Sequence, residues 1–180
     1  MTQSATTIRP ATHDDAEAIA RIQVETWRSA YRGVIADAFL DTMSEDERRS
    51  HWSEILKRPE HATFVAEVEG HGITGFANGG PEREGREDYR GELCGLYVLP
   101  DWHGQGVGKR LIATFTRWLV DSGFDTMLVW VLADNPFRRF YERLGGKLVG
   151  KKEIEIGNQK LIEVAYGWDD LGPLLERDTA

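Results

Sequence analysis

The 180-residue sequence has a single cysteine, Cys94, which excludes an intramolecular disulfide and any cysteine-rich metal centre. Long apolar runs are missing as well. The longest, MLVWVLA at 127–133, is far short of the roughly 20 residues a membrane helix needs. The opening residues MTQSATTIRPATHDDAEAIA hold no apolar segment of signal-peptide length. Positive charge is in the minority: 22 Lys and Arg stand against 30 Asp and Glu, for a formal net charge of −8. That balance argues against a nucleic-acid binder, which needs a basic surface, and is compatible with a cationic small substrate. His13, His51, His61 and His71 are scattered without metal-ligand spacing. No repeat, linker or low-complexity tract interrupts the chain. These absences predict one soluble, cytoplasmic domain over 1–180, with no metal, no nucleic-acid partner and no membrane partner.

What is present is core-forming: 41% of the residues are apolar and six are Trp, enough to bury a real core at this length. TTIRPA reads as a first strand. Thr12 then caps a helix whose apolar positions Ala16, Ile19, Ala20, Trp27, Ala30 and Tyr31 recur at three and four. A second helix begins at the capping box Ser44/Glu47 and closes before Pro59. ATFVAEVE and ITGFANGG, either side of a GHG turn, predict an antiparallel hairpin. PEREGREDYRG is a charged loop.

ELCGLYVLP predicts a buried strand stopped by Pro100, and GVGKRLIATFTRWLVDSG a helix with Val107, Leu111, Phe115 and Trp118 on one stripe. FDTMLVWVL is again an apolar strand. NPFRRFYERLGG predicts a short helix with Asn135 as cap, Pro136 at its first position and glycine after its end, and 147–168 two strands around GNQ. A strand-helix-strand unit at the centre implies a parallel pair, and the flanking hairpins imply antiparallel pairing. The expected fold is α+β: a mixed, mostly antiparallel sheet with helices on both faces.

The stretch LYVLPDWHGQGVGKRL, 96–111, is the most specific in the chain. Glycine weakens a helix start, so Gly104, Gly106 and Gly108 ahead of a helix call for a reason. A helix N-terminus has unpaired N–H groups and a partial positive charge, and glycines let a phosphate reach them. The bland alternative is a tight turn with close helix-to-sheet packing. A dinucleotide-binding turn does not fit: its third glycine should come one residue later, with an acid about 20 residues on. A Walker loop fails too, since Lys109 is not followed by Ser or Thr.

The stretch resembles the acetyl-coenzyme A signature of the GNAT superfamily of N-acetyltransferases, Gln/Arg-x-x-Gly-x-Gly/Ala after a strand ending in Val-x-Pro. NPFRRFYERLGGK is similar to the family's second motif, about 30 residues later. With the element order, the resemblance covers most of 6–168. Two departures stand out: His103 replaces the usual Arg or Gln, and Asn135 and Tyr141 are six residues apart where seven is common.

The resemblance implies that the cosubstrate is acetyl-coenzyme A, with its pyrophosphate on the amides of 104–109. His103, Gly104, Gln105, Gly106, Val107, Gly108 and Lys109 would lie at or beside it, and Asn135 against the cofactor. Leu96, Tyr97 and Val98 would line the pantetheine arm and thioester, Leu96 and Val98 through backbone groups of a strand that splays from its neighbour. The acceptor would be a primary amine of a small molecule or a protein, and a homodimer is common in the family.

An alkylammonium must lose a proton before it can attack a thioester. Glu92 resembles the general-base carboxylate of some members, and strand alternation predicts Glu92, Cys94 and Leu96 on one face. A solvated strand-end glutamate is the alternative. Tyr141 matches the family tyrosine that protonates the departing thiolate, but also belongs to an apolar helical stripe with Phe137, Phe140 and Leu144. Trp27 and Tyr31 would wall the acceptor pocket, or simply pack as an i, i+4 aromatic pair. Cys94 reads as a small buried residue. A non-catalytic acyl-coenzyme A-binding module and a nucleotide binder with a chance glycine turn remain alternatives.

Overall fold

The computed structural model describes residues 5–175. A seven-stranded sheet runs in the order β1-β2-β3-β4-β5-β7-β6. Its strands are β1 (Thr6–Pro10), β2 (Ala62–Val68), β3 (Gly72–Pro81), β4 (Gly91–Val98), β5 (Met127–Leu132), β6 (Lys147–Ile156) and β7 (Gln159–Trp168). Every neighbouring pair is antiparallel except β4–β5, which is parallel. This is the mixed sheet expected from the central strand-helix-strand unit. Among the described residues no helix is long and apolar enough to cross a membrane.

The helices are α1 (Ala16–Tyr31), α2 (Asp37–Thr42), α3 (Glu45–Ile55), α4 (Val107–Asp121), α5 (Arg139–Arg143) and α6 (Gly172–Leu175). On one face α4 buries Val107, Leu111 and Phe115 of the predicted stripe, with Ile112 and Leu119 beside them, against Phe64, Ala77 and Leu93, while Trp118 is only partly buried against the same cluster. Burying a side chain of this size contributes roughly 1.5–3 kcal/mol, so this stripe holds the crossover helix to the sheet. On the other face Ile19, Ala20 and Ile22 of α1 and Trp52 of α3 pack on Val65, Ile73 and Phe76. Trp52 locks the two helices together by donating its indole N–H to Gln23 Oε1 at 2.8 Å.

Three local expectations are corrected. Thr12 precedes a 3-10 turn, His13–Asp15, that runs into α1, rather than capping α1 itself. A short helix, α2, follows the Gly33 turn and buries Leu40; its single apolar anchor gave no periodic signal. The helix after Asn135 is only five residues long, because 136–138 form a turn. Asn135 Oδ1 accepts the Phe137 N–H at 2.7 Å, so asparagine holds the turn outside the helix rather than capping it.

The feature that creates the site is a break in the sheet. β4 and β5 pair only through Gly91↔Met127, Glu92↔Leu128 and Leu93↔Val129, then part. At that point β4 carries a bulge against β3: Asn78 opposes Gly95 and Gly79 opposes Leu93, leaving Cys94 without an opposite residue. A bulge bends the strand and increases its twist. Gly79 is what permits it, since a Cβ there would lie 2.2 Å from Glu92 O and 2.4 Å from the Phe115 ring.

The bulge also overturns the alternation expected for β4. Leu93, Leu96 and Val98 pack with α4, whereas Tyr97 packs with α1 and Phe76. Side chains alternate across a strand, so Glu92 faces the α1 side and Leu96 the α4 side. Glu92 and Leu96 therefore do not share a face, because the extra residue at the bulge shifts the phase by one.

Candidate functional site

Where β4 and β5 part, a cavity of about 1110 Å³ opens. It runs from the α4 N-terminus, between residues 94–98 of β4 on one side and Val129, Trp130, Val131 and Leu132 of β5 on the other, to α1 and β7. Its two ends differ in chemistry. Lys109, Arg110, Arg139 and Arg143 line it beside α4 and α5, whereas Glu163 of β7 is the one carboxylate among the described residues that line it.

At the α4 end the glycines resolve into two roles. Gly104 and Gly106 have φ of +75° and +80°, and a Cβ at either would meet nothing within 4 Å. They are needed for a left-handed backbone, not for packing. Gly106 occupies the N-cap position and supplies no side-chain cap; Arg110 N–H is bonded to Gly106 O at 3.1 Å. The amides of Val107, Gly108 and Lys109 precede that first bond and stay available, beside the positive end of the helix dipole. Gly108 has ordinary helical backbone, and a Cβ there would touch Phe140 Cζ at 3.4 Å. This open cradle, flanked by basic side chains, fits a pyrophosphate.

Along β4 the antiparallel ladder decides which backbone groups face the opening. Leu99 N–H bonds Thr74 O at 2.8 Å, so alternation turns the groups of Leu96 and Val98 away from β3, toward the side that β5 has vacated. Val98 O accepts a hydrogen bond from His103 Nε2 at 2.8 Å. His103 also packs edge-on against the half-exposed Phe137, with ring centroids 5.0 Å apart. Gln105 donates to Asp101 O at 2.8 Å. The side chains of His103 and Gln105 thus brace the loop, and the amides remain as its open donors.

The α1 wall is tied to both strands. Trp27 Nε1 donates to Tyr97 Oη at 3.1 Å, and Asn135 Nδ2 donates to Tyr31 Oη at 2.9 Å. Trp27 and Tyr31 pack edge to face at 5.2 Å. Burial is the main cause that holds the Tyr31 hydroxyl well above its ordinary pKa, with Tyr97, Tyr141 and Glu163 adding to it. Tyr31 therefore lies within electrostatic reach of all three. With both ends of the Asn135 amide engaged inside the chain, its six-residue distance from Tyr141 imposes no helical phase, since Asn135 lies outside α5.

Tyr141 lines the cavity and is 8% exposed. Its ring packs between Phe140, Tyr166 and Trp168, while its hydroxyl makes no hydrogen bond among the described residues. Burial raises its pKa, so it stays a protonated phenol at neutral pH. Cys94 also lines the cavity; burial, helped by Glu92, pushes its thiol up to about 12. Thiolate is then scarce at neutral pH, which suits a packing residue rather than a nucleophile.

Glu92 is not the solvated strand-end glutamate of the alternative reading. Its side chain is 2% exposed and lies outside the cavity lining. Arg83, from the loop read as charged, engages both carboxylate oxygens: Nη2 to Oε1 at 2.6 Å, Nε to Oε2 at 3.0 Å, and backbone N–H to Oε2 at 3.2 Å. Both oxygens are committed to one cation. Glu92→Gln is expected to lower unfolding free energy by roughly 1–3 kcal/mol, because a buried charge-assisted fork is replaced by weaker contacts. Urea denaturation at neutral pH checks this, and an unchanged midpoint would show that the pair does not hold the loop.

The structure thus gathers Trp27, Tyr31, Leu96, Tyr97, Val98, 103–109, Asn135 and Tyr141 around one cavity, with Glu92 outside its lining. Glu163, Trp130 and the arginines of α5 were missed. A lone acid within the apolar strand LIEVAYGW was the available signal for Glu163.

The signature of the acetyltransferase (GNAT) family matches residues 17–146. The chain is 35% identical over 168 residues to the uncharacterized N-acetyltransferase YuaI of Bacillus subtilis, covering 93% of this chain and 95% of that protein. It is 33% identical over 131 residues to an aminoglycoside N(6′)-acetyltransferase type 1 from Stenotrophomonas maltophilia, covering 68% and 73%. In fold it is similar to yncA from Salmonella typhimurium, solved with its cofactor acetyl-CoA, with a TM-score of 0.70, 23% identity and coverage of 93% and 95%. The glycine cradle on α4, the parted β4–β5 pair and these similarities agree, and the chain belongs to the GNAT family of acetyltransferases.

Proposed function

We propose that this protein transfers the acetyl group of acetyl-CoA to a primary amine, directly and within a ternary complex. The observation that carries this reading is the continuity of the cavity from the cationic α4 cradle, through the β4–β5 gap, to the aromatic wall of α1. Two substrates can meet there without a covalent carrier, and the raised Cys94 thiol offers none.

The residues divide the work. The amides of 107–109, beside Lys109, Arg110 and Arg139, hold the pyrophosphate and its neighbouring phosphate. The backbone groups of Leu96 and Val98 flank the thioester, where an N–H steadies the tetrahedral oxyanion. Tyr97 and Asn135 hold the α1 wall through Trp27 and Tyr31, which face the acceptor. Tyr141 gives its proton to the sulfur as the C–S bond breaks. The relative named for an aminoglycoside 6′-amine makes such amines a natural starting class.

The test is a panel of aminoglycosides, polyamines, amino-acid analogues and amine-bearing peptides, scored by CoA release. At least one should give turnover saturable in both substrates, with initial-rate lines that intersect rather than run parallel. Acetyl-CoA that raises the melting temperature without any amine-dependent CoA release would instead assign a non-catalytic binding module.

A further inference from the structure

The amine that attacks must first lose a proton, and Glu92 is bound to Arg83 and does not line the cavity. Glu163 is the one carboxylate among the described residues that line it. Glu163 sits opposite Leu132 in the β5–β7 ladder, and Leu132 packs with Tyr31 of α1. Val131 and Val164 point to the α4 face, so alternation directs Glu163 to the α1 side, where the acceptor wall stands.

We infer that Glu163 is the carboxylate that receives the acceptor's alkylammonium and takes its proton. The inference rests on the acetyltransferase reading above. In the step, Glu163 accepts one proton from R–NH3+, and the neutral amine forms the N–C bond to the thioester carbon. The C–S bond breaks with its electron pair on sulfur, which Tyr141 protonates. The second N–H proton, released as the amide forms, restores the Tyr141 hydroxyl, and Glu163 returns its own proton to water. One proton is released per turnover, as acetylation of an ammonium requires.

The surroundings suit this task. Glu163 accepts no side-chain hydrogen bond among the described residues, and its nearest cation, Lys152 Nζ of β6, is 3.7 Å from Oε2, beyond hydrogen-bond length. Lys152 is drawn away by Glu84 and by the face of Trp130, whose centroid is 4.0 Å from its ammonium. Burial is the main cause raising Glu163 above the usual carboxylate range; Glu84 and Glu92 also raise it, while Lys152 and Arg83 oppose. Tyr31 of α1 lines the same cavity as a protonated phenol. A carboxylate raised in this way is a better match to an ammonium proton than an exposed one. The site also has an aromatic flank: Trp130 lines the same cavity, and its buried indole N–H has no partner among the described residues. An anion beside indole and phenol rings is chemistry that selects a cationic acceptor.

The experiment measures kcat/KM against pH for wild type, Glu163→Gln and Glu163→Asp, with the best amine of the panel and saturating acetyl-CoA. Acetyl-CoA affinity is measured in parallel by calorimetry. Glu163→Gln should lower kcat/KM by about 10²–10³ near pH 7, with the defect shrinking as pH rises toward the pKa of the amine. Acetyl-CoA affinity should stay within about twofold, and Glu163→Asp, which keeps a carboxylate, should retain an intermediate rate with the acid limb displaced in pH. A Glu163→Gln profile parallel to wild type, or a loss in Glu163→Asp equal to that in Glu163→Gln, overturns the assignment. So does an equal loss of acetyl-CoA affinity. If Glu163→Gln does not fold, Glu163→Asp decides: an intermediate rate with the acid limb displaced in pH upholds the proposal, and a profile parallel to wild type overturns it. A wild type that acetylates no amine fails the functional reading itself, which is a different result from an active wild type with an inert Glu163→Gln change.

Discussion

Tyr141→Phe is expected to lower kcat by about 10²–10⁴ while acetyl-CoA affinity changes by less than about twofold. The substitution keeps the ring, and with it the packing on Phe140, Tyr166 and Trp168. It removes a hydroxyl that bonds to no described residue, so stability should shift by no more than about 1 kcal/mol. Burial keeps the phenol protonated, and in the proposed transfer its proton is needed only as the thiolate leaves. The defect therefore belongs in kcat. Stopped-time assays at saturating acetyl-CoA separate this from weakened binding. Turnover within about threefold of wild type would assign the acid to water.

Gly108→Glu is expected to weaken acetyl-CoA by at least about 100-fold, or about 2.8 kcal/mol, with little loss of fold. Gly108 is the cleaner choice among the three glycines. Gly104 and Gly106 have positive φ, so any side chain there adds backbone strain and confuses stability with binding. At Gly108 a Cβ meets only ordinary contacts, 3.4 Å from Phe140 Cζ and 3.9 Å from Leu96 Cδ2. An acid in the first turn also favours the helix through its dipole. The same carboxylate, placed among the amides of 107–109, repels and displaces a pyrophosphate. Calorimetry with acetyl-CoA and thermal unfolding read the two effects separately. Wild-type affinity in a folded variant would move the phosphate site away from α4.

Much of this site was legible because its signals are local. The glycine spacing before an amphipathic stripe places a cradle at the start of α4, since left-handed turns and helix caps depend on a few adjacent residues. The period of α1 likewise puts Trp27 and Tyr31 on one wall, and the apolar run 127–132 marks β5. The single-residue alternation read along β4 was not reliable, because one extra residue at Cys94, admitted by Gly79 on the neighbouring strand, reverses the faces beyond it.

What lay beyond the sequence were the pairings between distant segments. Whether Glu92 is free or engaged depends on Arg83, nine residues earlier, folding back from a loop with no periodic signal. Whether Glu163 reaches the cleft depends on β7 pairing with β5, which brings residues about 30 apart into register. The cavity itself exists because β4 and β5 stop pairing after three residues. Local propensity cannot specify that, because it arises from the competition among bulge, twist and the packing of helices on both faces. Motif spacing therefore marked the glycine cradle, and which carboxylate lines the cavity was decided by strand order and register.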